Sequence, residues 1–577
     1  MTRSVRGSIG CVAAILLAAA AASAQPVLQT PREEFELRQP KLEKEPPPEL
    51  VLPPIPPPPR PAPEAAGERV RVEAFRFEGN TVFSDAELAQ VVAPWTGREI
   101  TSAELRAARD AVTRHYIDAG YVSSGAVLPD QQMQNGIVRI QVVEGRLARV
   151  DVDGARWHRP SYFESRLIAA AGTPVRVQDL ERRLEVFQQD PTLTRIAARL
   201  EPSEQRGETE LRLAVDEAFP LRLGIEWSND VPPSLGNQAG QVNASLPGPL
   251  LVGDELSGDL RFAKGLIDTE GRYAVPLNHY DTQLEARVRW SDGKVVEYPF
   301  DNANATSDIF TAGFGLLQPV WRTEQDEVRL ALLGEWRQSE TDLDGVGIAF
   351  PGTGANSDGR STLSVLRVGG EWVRRSRERV FALRQLVSVG VPMLGASHNP
   401  SGQPDWNFVS FLTQLRHAER FPRLLGVELV LRGDLQLSTE PLMPMEQIGV
   451  GGVDSVRGYR VNQLVRDQGA IGSVELRLPV YRDDERGHLI QLAPFFDAGY
   501  GWSAGPRELE GPSGAPDNKA AFGSDTLYGV GVGVRYRYRS WLGAELYWGD
   551  SLCNVNDPER HSLQDNGIYF RVGLNLP

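Results

Sequence analysis

The stretch SVRGYR, residues 455–460, holds Arg457 between Val456 and Gly458, with Tyr459 next to them. It lies in a region rich in Gly, Val and Asp that separates two well-patterned strands. The chemistry of a guanidinium in such a loop is recognition, because its planar fork grips a carboxylate with two parallel hydrogen bonds. A candidate carboxylate follows in APFFDAGYGW, where Phe495-x-Asp497-x-Gly499 sets Asp497 on the same strand face as Phe495 and Gly499. Gly499 leaves room there for a bulky partner. Bond-making chemistry has no comparable arrangement. The seven histidines, at 115, 158, 279, 398, 417, 488 and 561, show no metal-ligand spacing. GASHNPSG is the nearest approach to a nucleophile site, and it lacks the G-x-S-x-G elbow. No G-x-x-x-x-G-K-[ST] phosphate loop occurs. The sequence therefore assigns no catalytic residue, no metal and no cofactor, and the expectation is a protein that is not an enzyme.

A loop arginine and a strand aspartate need elements to bring them together. At 577 residues the chain exceeds one ordinary core, so several domains are expected. The formal net charge of −15 argues against nucleic acid, which needs a concentrated basic face. Mean hydropathy is −0.30, and no run approaches the ~20 apolar residues of a transmembrane helix. Those numbers alone describe a soluble acidic protein; the second half of the chain does not fit them.

Arg3 and Arg6 precede an apolar run from Cys11 to Ala22, and Ala22-Ser23-Ala24 is a small-x-small cleavage site. This pattern predicts a secretory signal peptide over 1–24. Its removal leaves Cys553 as the only cysteine, so no intramolecular disulfide is expected. Residues 25–45 offer one short helix around Thr30–Gln39, with Thr30 as cap, Pro31 at its first position and Glu33 completing a capping box. Such a helix needs a docking site to persist. Residues 46–68 form a proline-rich linker, with 11 prolines among the 18 residues from Pro46 to Pro63. Polyproline geometry makes it a stiff spacer of roughly 55 Å.

An internal repeat spans 69–145 and 146–218. Gly79 and Gly154 each close a strand, Gly97 and Gly172 each end a helical segment, and Leu105 and Leu180 each lie in the next helix. All three pairs share an offset of 75 residues, which predicts two copies of one β-α-α-β-β module. In the first copy Thr101 and Glu104 form a capping box, and Gly120 suits the position after the helix.

From Phe219 onward the pattern changes to period two. TLYGVGVGVRYRY places Tyr528, Val530, Val532, Val534, Tyr536 and Tyr538 opposite Gly529, Gly531, Gly533, Arg535 and Arg537. GVELVLRGDLQLS alternates in the same way. Long alternating strands, aromatics near their ends and a mixed-charge polar face predict a transmembrane β-barrel over 219–577, with lipid outside and a wet lumen. About sixteen such antiparallel strands are counted, with long polar links alternating with short turns.

VRGY on a long loop, F-x-D-x-G on the following part of the barrel, and paired modules ahead of both resemble the two-partner secretion transporters (TpsB proteins) of the POTRA-and-barrel superfamily. The resemblance covers essentially the whole mature chain. It implies an all-β transmembrane barrel preceded by two α+β POTRA domains, with a plug helix at 25–45 and a loop, 439–468, folded into the barrel. It implies that Arg457 pairs with Asp497, that Val456, Gly458 and Tyr459 shape the loop tip, and that Phe495 and Gly499 form its seat. It also implies the partners and the place. An unfolded exoprotein (an adhesin, a haemolysin or a toxin with an N-terminal secretion domain) is bound at the POTRA surfaces in the periplasm and passed through the outer membrane. Outer-membrane lipid and, during biogenesis, the barrel-assembly machinery are the remaining partners. An insertase of the same superfamily is the alternative; insertases carry more POTRA modules than the two that the spacing supports. One departure stands out. Barrels of this kind usually end on an aromatic residue, whereas this chain ends Leu574-Asn575-Leu576-Pro577, so recognition of the last strand is expected to rest on Tyr569 and Phe570 or to be less efficient.

Overall fold

The computed structural model describes residues 69–576, apart from 134, 189, 191, 249, 299–300, 324, 351, 401–402, 505–525 and 554–561. The signal peptide, the short helix and the proline-rich linker expected over 1–68 lie outside the described residues. The chain divides into two compact units between Pro220 and Leu221.

In the first unit two modules follow one plan. Ala74–Glu78 pairs parallel with Ile137–Val143, which pairs antiparallel with Gly125–Val127. Arg146–Asp153 pairs parallel with Glu208–Glu217, which pairs antiparallel with Leu193–Pro202. In both, the last strand is central and two helices fill the crossover: Asp85–Val92 and Ser102–Asp118 in one, Pro160–Ala171 and Val177–Gln188 in the other. The helices start where the sequence offers reciprocal caps, Ser84 with Glu87 and Thr101 with Glu104. Their apolar faces close separate cores, one around Phe77, Leu88, Val112 and Ile140, the other around Phe163, Leu167, Leu184 and Leu211. Gly79 and Gly154 both turn the chain out of the first strand at positive φ, 86° and 88°. The first module also carries a two-stranded ribbon, Arg69–Val72 with Arg98–Thr101. Sequence reasoning missed it, because Thr101 registered only as a helix cap.

Each module is tied shut by a glutamate at the end of its last strand. Glu144 accepts the N–H groups of Thr81 (2.7 Å) and Val82 (3.0 Å), the Thr81 hydroxyl, and the Tyr116 hydroxyl at 2.8 Å. Glu217 accepts the N–H groups of Arg156, Trp157 and His158 at 2.6, 2.6 and 3.1 Å. Both carboxylates thus cradle the turn two residues past the glycine. Burial pushes the Glu144 carboxyl up, but the hydrogen bonds from Thr81, Val82 and Tyr116 outweigh it and hold the group below the usual carboxylate range. A carboxyl depressed in the folded state stabilises the fold above its unfolded value of about 4.3, and that stability is lost as pH falls through the folded value. Thermal unfolding of residues 69–220 should therefore weaken below about pH 4. Glu144→Gln should cost about 1.5–3 kcal/mol at pH 7 and flatten that acid limb. An unchanged acid limb in the variant would assign the acid sensitivity elsewhere.

The second unit is a closed barrel of sixteen antiparallel strands. The first, Arg222–Ser228, pairs with the last, Ile568–Leu576, so no sheet edge is left open. The longest strands, Ala305–Arg322 and Asp326–Leu343, have 18 residues each. The two-residue strand Val346–Gly347 only extends one hairpin beyond the wall. Alternation sorts the side chains: Val288, Phe314, Leu330 and Val534 are exposed on the outside, while Arg337, Arg367, Arg416 and Asp434 are buried inside. The inward charges are paired, as in the Arg416 to Asp434 hydrogen bond of 2.8 Å. Links on the rim where Arg222 enters are short, such as 376–378, and most of those on the other rim are longer, such as 391–408 and 439–467. Among the described residues no helix is long and apolar enough to cross a membrane.

Candidate functional site

The loop leaves Val427–Ser438 and returns in Gln468–Asp483. It is more ordered than its composition suggests. Pro444–Glu446 forms a 3-10 turn, and Ile448–Val450 pairs with Leu464–Arg466 as a short hairpin. Ile448, Val450, Val456, Tyr459 and Leu464 are buried together against Ile471 and Leu527 of the wall. The loop therefore turns inward on an apolar underside and carries its charge at the tip.

Where the tip lands is set by strand register. Gln468–Asp483 and His488–Trp502 are antiparallel neighbours, with Ser473 opposite Asp497 and Glu475 opposite Phe495. Period two puts all four side chains on the inner face, as one block. Arg457 sits on that block. Its Nε donates to Asp497 Oδ2 at 2.8 Å and its Nη2 to Oδ1 at 2.9 Å, a two-point grip; its backbone N–H adds a third bond at 3.0 Å. Nη1 donates to Glu475 at 2.5 Å and Nη2 to the Ser473 hydroxyl at 3.2 Å. The guanidinium carbon lies 3.5 Å from the centre of the Phe495 ring, a cation–π contact in a water-poor setting. Side-chain exposure is 3% for Arg457 and 0% for Asp497, so this is a desolvated ion pair rather than a surface one.

The neighbouring residues make that approach sterically feasible. A Cβ on Gly499 would lie 2.5 Å from Val450 Cγ1 and 2.8 Å from Val456 Cγ2, so only glycine admits the loop's apolar underside. Gly458 has φ of 100°, a left-handed conformation that a side chain would strain. Its N–H donates to the Tyr569 hydroxyl at 2.9 Å, and that hydroxyl donates to the Tyr459 carbonyl at 2.5 Å. The Tyr459 hydroxyl donates to the Tyr528 carbonyl and accepts from the Cys553 N–H, both at 3.0 Å. Val456, Arg457, Gly458, Tyr459, Phe495, Asp497 and Gly499 thus meet at one place. Of the two aromatic residues in the last strand, Tyr569 faces inward against the loop tip and Phe570 lies on the outer side.

Sequence reasoning missed Ser473, Glu475 and Tyr569, whose common position follows from cross-strand register. It also missed the anchors that hold the rest of the loop. Glu446 accepts from Arg367 at 2.7 and 2.9 Å, and Arg367 also donates to Glu335 at 2.9 Å. Arg460 binds Asp565 and reaches Glu297 at 3.0 Å. Asp467, at the loop's end, accepts from the Leu442 N–H, the Gln447 amide and the Ala504 N–H at 3.0, 2.8 and 3.0 Å. The arrangement is one of hydrogen bonds and paired charges. It is a polar latch that holds a loop inside a lumen by hydrogen bonds and charge, contacts that water or a passing chain can replace. Among the described residues no group of three or more His, Cys, Asp or Glu is placed to hold a metal ion.

Residues 70–145 match the family model described as POTRA domain, ShlB-type, and residues 207–536 match that of the haemolysin secretion/activation protein ShlB/FhaC/HecB. The chain is similar to the outer membrane transporter CdiB of Escherichia coli, 23% identical over 490 residues that cover 82% of this chain and 78% of the relative. It is similar to the heme/hemopexin transporter protein HuxB of Haemophilus influenzae, 23% identical over 432 residues, 72% of this chain and 73% of the relative. The solved structure of CdiB from Escherichia coli matches with a TM-score of 0.61 at 20% identity, covering 89% of this chain and 93% of that one. BamA from Haemophilus ducreyi, lacking POTRA domains 1–3, matches with a TM-score of 0.54 at 12% identity, covering 89% and 100%. At those identities the likeness of the structures is one of fold.

Proposed function

Because the chain belongs to the family of haemolysin secretion/activation proteins ShlB/FhaC/HecB, we propose that it is a secretion pore: it takes an unfolded exoprotein from the periplasm and passes it to the cell surface. The barrel lies in the outer membrane with its modules in the periplasm. The observation that carries the reading is the latch. A closed barrel with a charged, wet inner face is occupied by a loop whose tip is held by exchangeable polar contacts around Arg457 and Asp497. A conduit that must seal at rest and open for a chain needs such a loop. On element order, 146–218 is read as a second POTRA domain beside the matched 70–145, and the two are the receptor for the cargo. That cargo is an adhesin, haemolysin or toxin with an N-terminal secretion domain. With no phosphate-loop motif in the chain, transport draws on binding and folding of the cargo itself.

The likeness to BamA supports a shared fold and does not favour the insertase alternative, since the family model and the curated relatives are those of secretion proteins and transporters. The test is co-expression of this chain with a large exoprotein encoded beside it, in cells that lack both. The exoprotein should reach the medium only when this chain is present. Release at equal levels without it, or a general defect in other outer-membrane barrels when it is removed from its native cell, would overturn the reading.

A further inference from the structure

Arg432, in the strand Val427–Ser438, points into the lumen beside the latch and is poorly paired for a buried charge. Its side chain is 7% exposed, and its Nε has no hydrogen-bond partner. Nη2 donates to the Ser455 carbonyl at 3.3 Å, and Nη1 lies 3.9 Å from Asp454, whose side chain is 42% exposed. The inward arginine on the next strand is different: Arg416 grips Asp434 at 2.8 Å. A buried guanidinium left with one long hydrogen bond is an unfavourable arrangement, and such an arrangement persists where another state uses it.

Register indicates that state. Arg432 is opposite Ser473, and Ser473 is opposite Asp497, so the three form one inward row across three adjacent strands. Two strand spacings of ~4.8 Å separate Arg432 from Asp497, a gap that an extended arginine side chain and an aspartate close together. Ser473, between them, carries a hydroxyl now engaged by Arg457. Ser455 and Asp454, which supply the weak contacts of Arg432, belong to the same loop as Arg457. Withdrawal of the loop tip therefore frees Arg432 in the step that strips Asp497 of its partner.

We propose that Arg432 is a positioning residue that takes over Asp497, across Ser473, when Arg457 leaves. The exchange keeps the wall carboxylate paired in the open state. It lowers the barrier to unlatching and leaves Asp497 paired, while Glu475 keeps the wall residue Arg477, whose Nε donates to it at 2.8 Å. The inference rests on the reading that the loop tip leaves its seat during transport.

Reversal potentials of the full-length protein in planar bilayers under a salt gradient test it without cargo. Arg457→Ala should shift selectivity little, because Arg432 neutralises Asp497 in its place. Arg432→Met should also shift it little, because Arg457 is still seated. The double variant should become cation-selective by more than the sum of the two single shifts, and adding Asp497→Asn should abolish the excess. Additive shifts, or an excess that survives Asp497→Asn, would overturn the exchange. Arg432→Gln serves as a second variant if Arg432→Met does not insert. Failure of the secretion reading would show separately, as absence of exoprotein export by the unmodified chain, whatever the bilayer records.

Discussion

Arg457→Ala and Asp497→Ala should each reduce secretion of the exoprotein to near background while the barrel still folds and reaches the membrane. Breaking a buried, hydrogen-bonded ion pair by removing one member costs about 3–5 kcal/mol, and each variant loses the two-point grip that seats the loop tip. At 1.4 kcal/mol per tenfold, the latched population falls by roughly two to three orders of magnitude. Barrel closure depends on strand pairing around the full circle, to which the tip of the loop contributes nothing, so insertion should survive. Arg457→Lys should fail almost as badly. One ammonium cannot hold both oxygens of Asp497, reach Glu475 and stack on Phe495 at once. The structure also changes what a charge exchange can do. If Asp497 were the sole partner, Arg457→Asp with Asp497→Arg would restore part of the loss. Glu475 lies on the other side of the guanidinium, so the exchanged pair would set Asp against Glu and should recover little. The checks are immunoblots of exoprotein in the medium and heat-modifiable mobility of the barrel. Full secretion by both alanine variants would show that the latch does not matter to transport.

The main lines of that site were legible because they rest on short-range rules. Period-two alternation marks which side of a strand is wet, so the inward position of Asp497 beside Phe495 and Gly499 follows from four or five consecutive residues. The loop arginine between small residues was visible for the same reason. Glu475 and Tyr569 were not, although both sit at inward positions of readable strands. What places them at Arg457 is the pairing of strands and the closure of the barrel, which brings the last strand round to the loop tip. Neither is written in local spacing. The ion pair of Glu446 with Arg367 joins residues 79 apart in sequence and was likewise invisible. The repeat is an intermediate case. Three glycine and leucine pairs revealed its period, while the glutamates that close the modules, Glu144 and Glu217, escaped notice. Their offset is 73 residues rather than 75, because the second helix has 17 residues in the first module and 12 in the second, a difference that a longer stretch after the helix only partly makes up.

Deleting residues 69–218 should abolish export as completely as breaking the latch, and for a different reason. The barrel's first strand starts at Arg222 and pairs with the strands Ala239–Pro247 and Ile568–Leu576, so among the described residues the wall strands pair with one another. The truncated chain should therefore insert and conduct ions. What it loses is a binding surface for an extended chain. Among the described residues each module sheet is three strands wide with its last strand central, and each outer strand pairs on one edge only. In the second module one such edge is the ten-residue Leu193–Pro202, long enough to take an unfolded segment as an added strand through main-chain hydrogen bonds. Recognition of that kind is tolerant of sequence, and it fits a receptor that must hold cargo before it has folded. The two failures should differ in the periplasm. Latch variants should accumulate exoprotein that still cross-links to the modules, whereas the deletion should leave exoprotein free of this chain. Export at the normal level by the truncated barrel would show that the lumen alone selects its cargo, and the modules would then need another role.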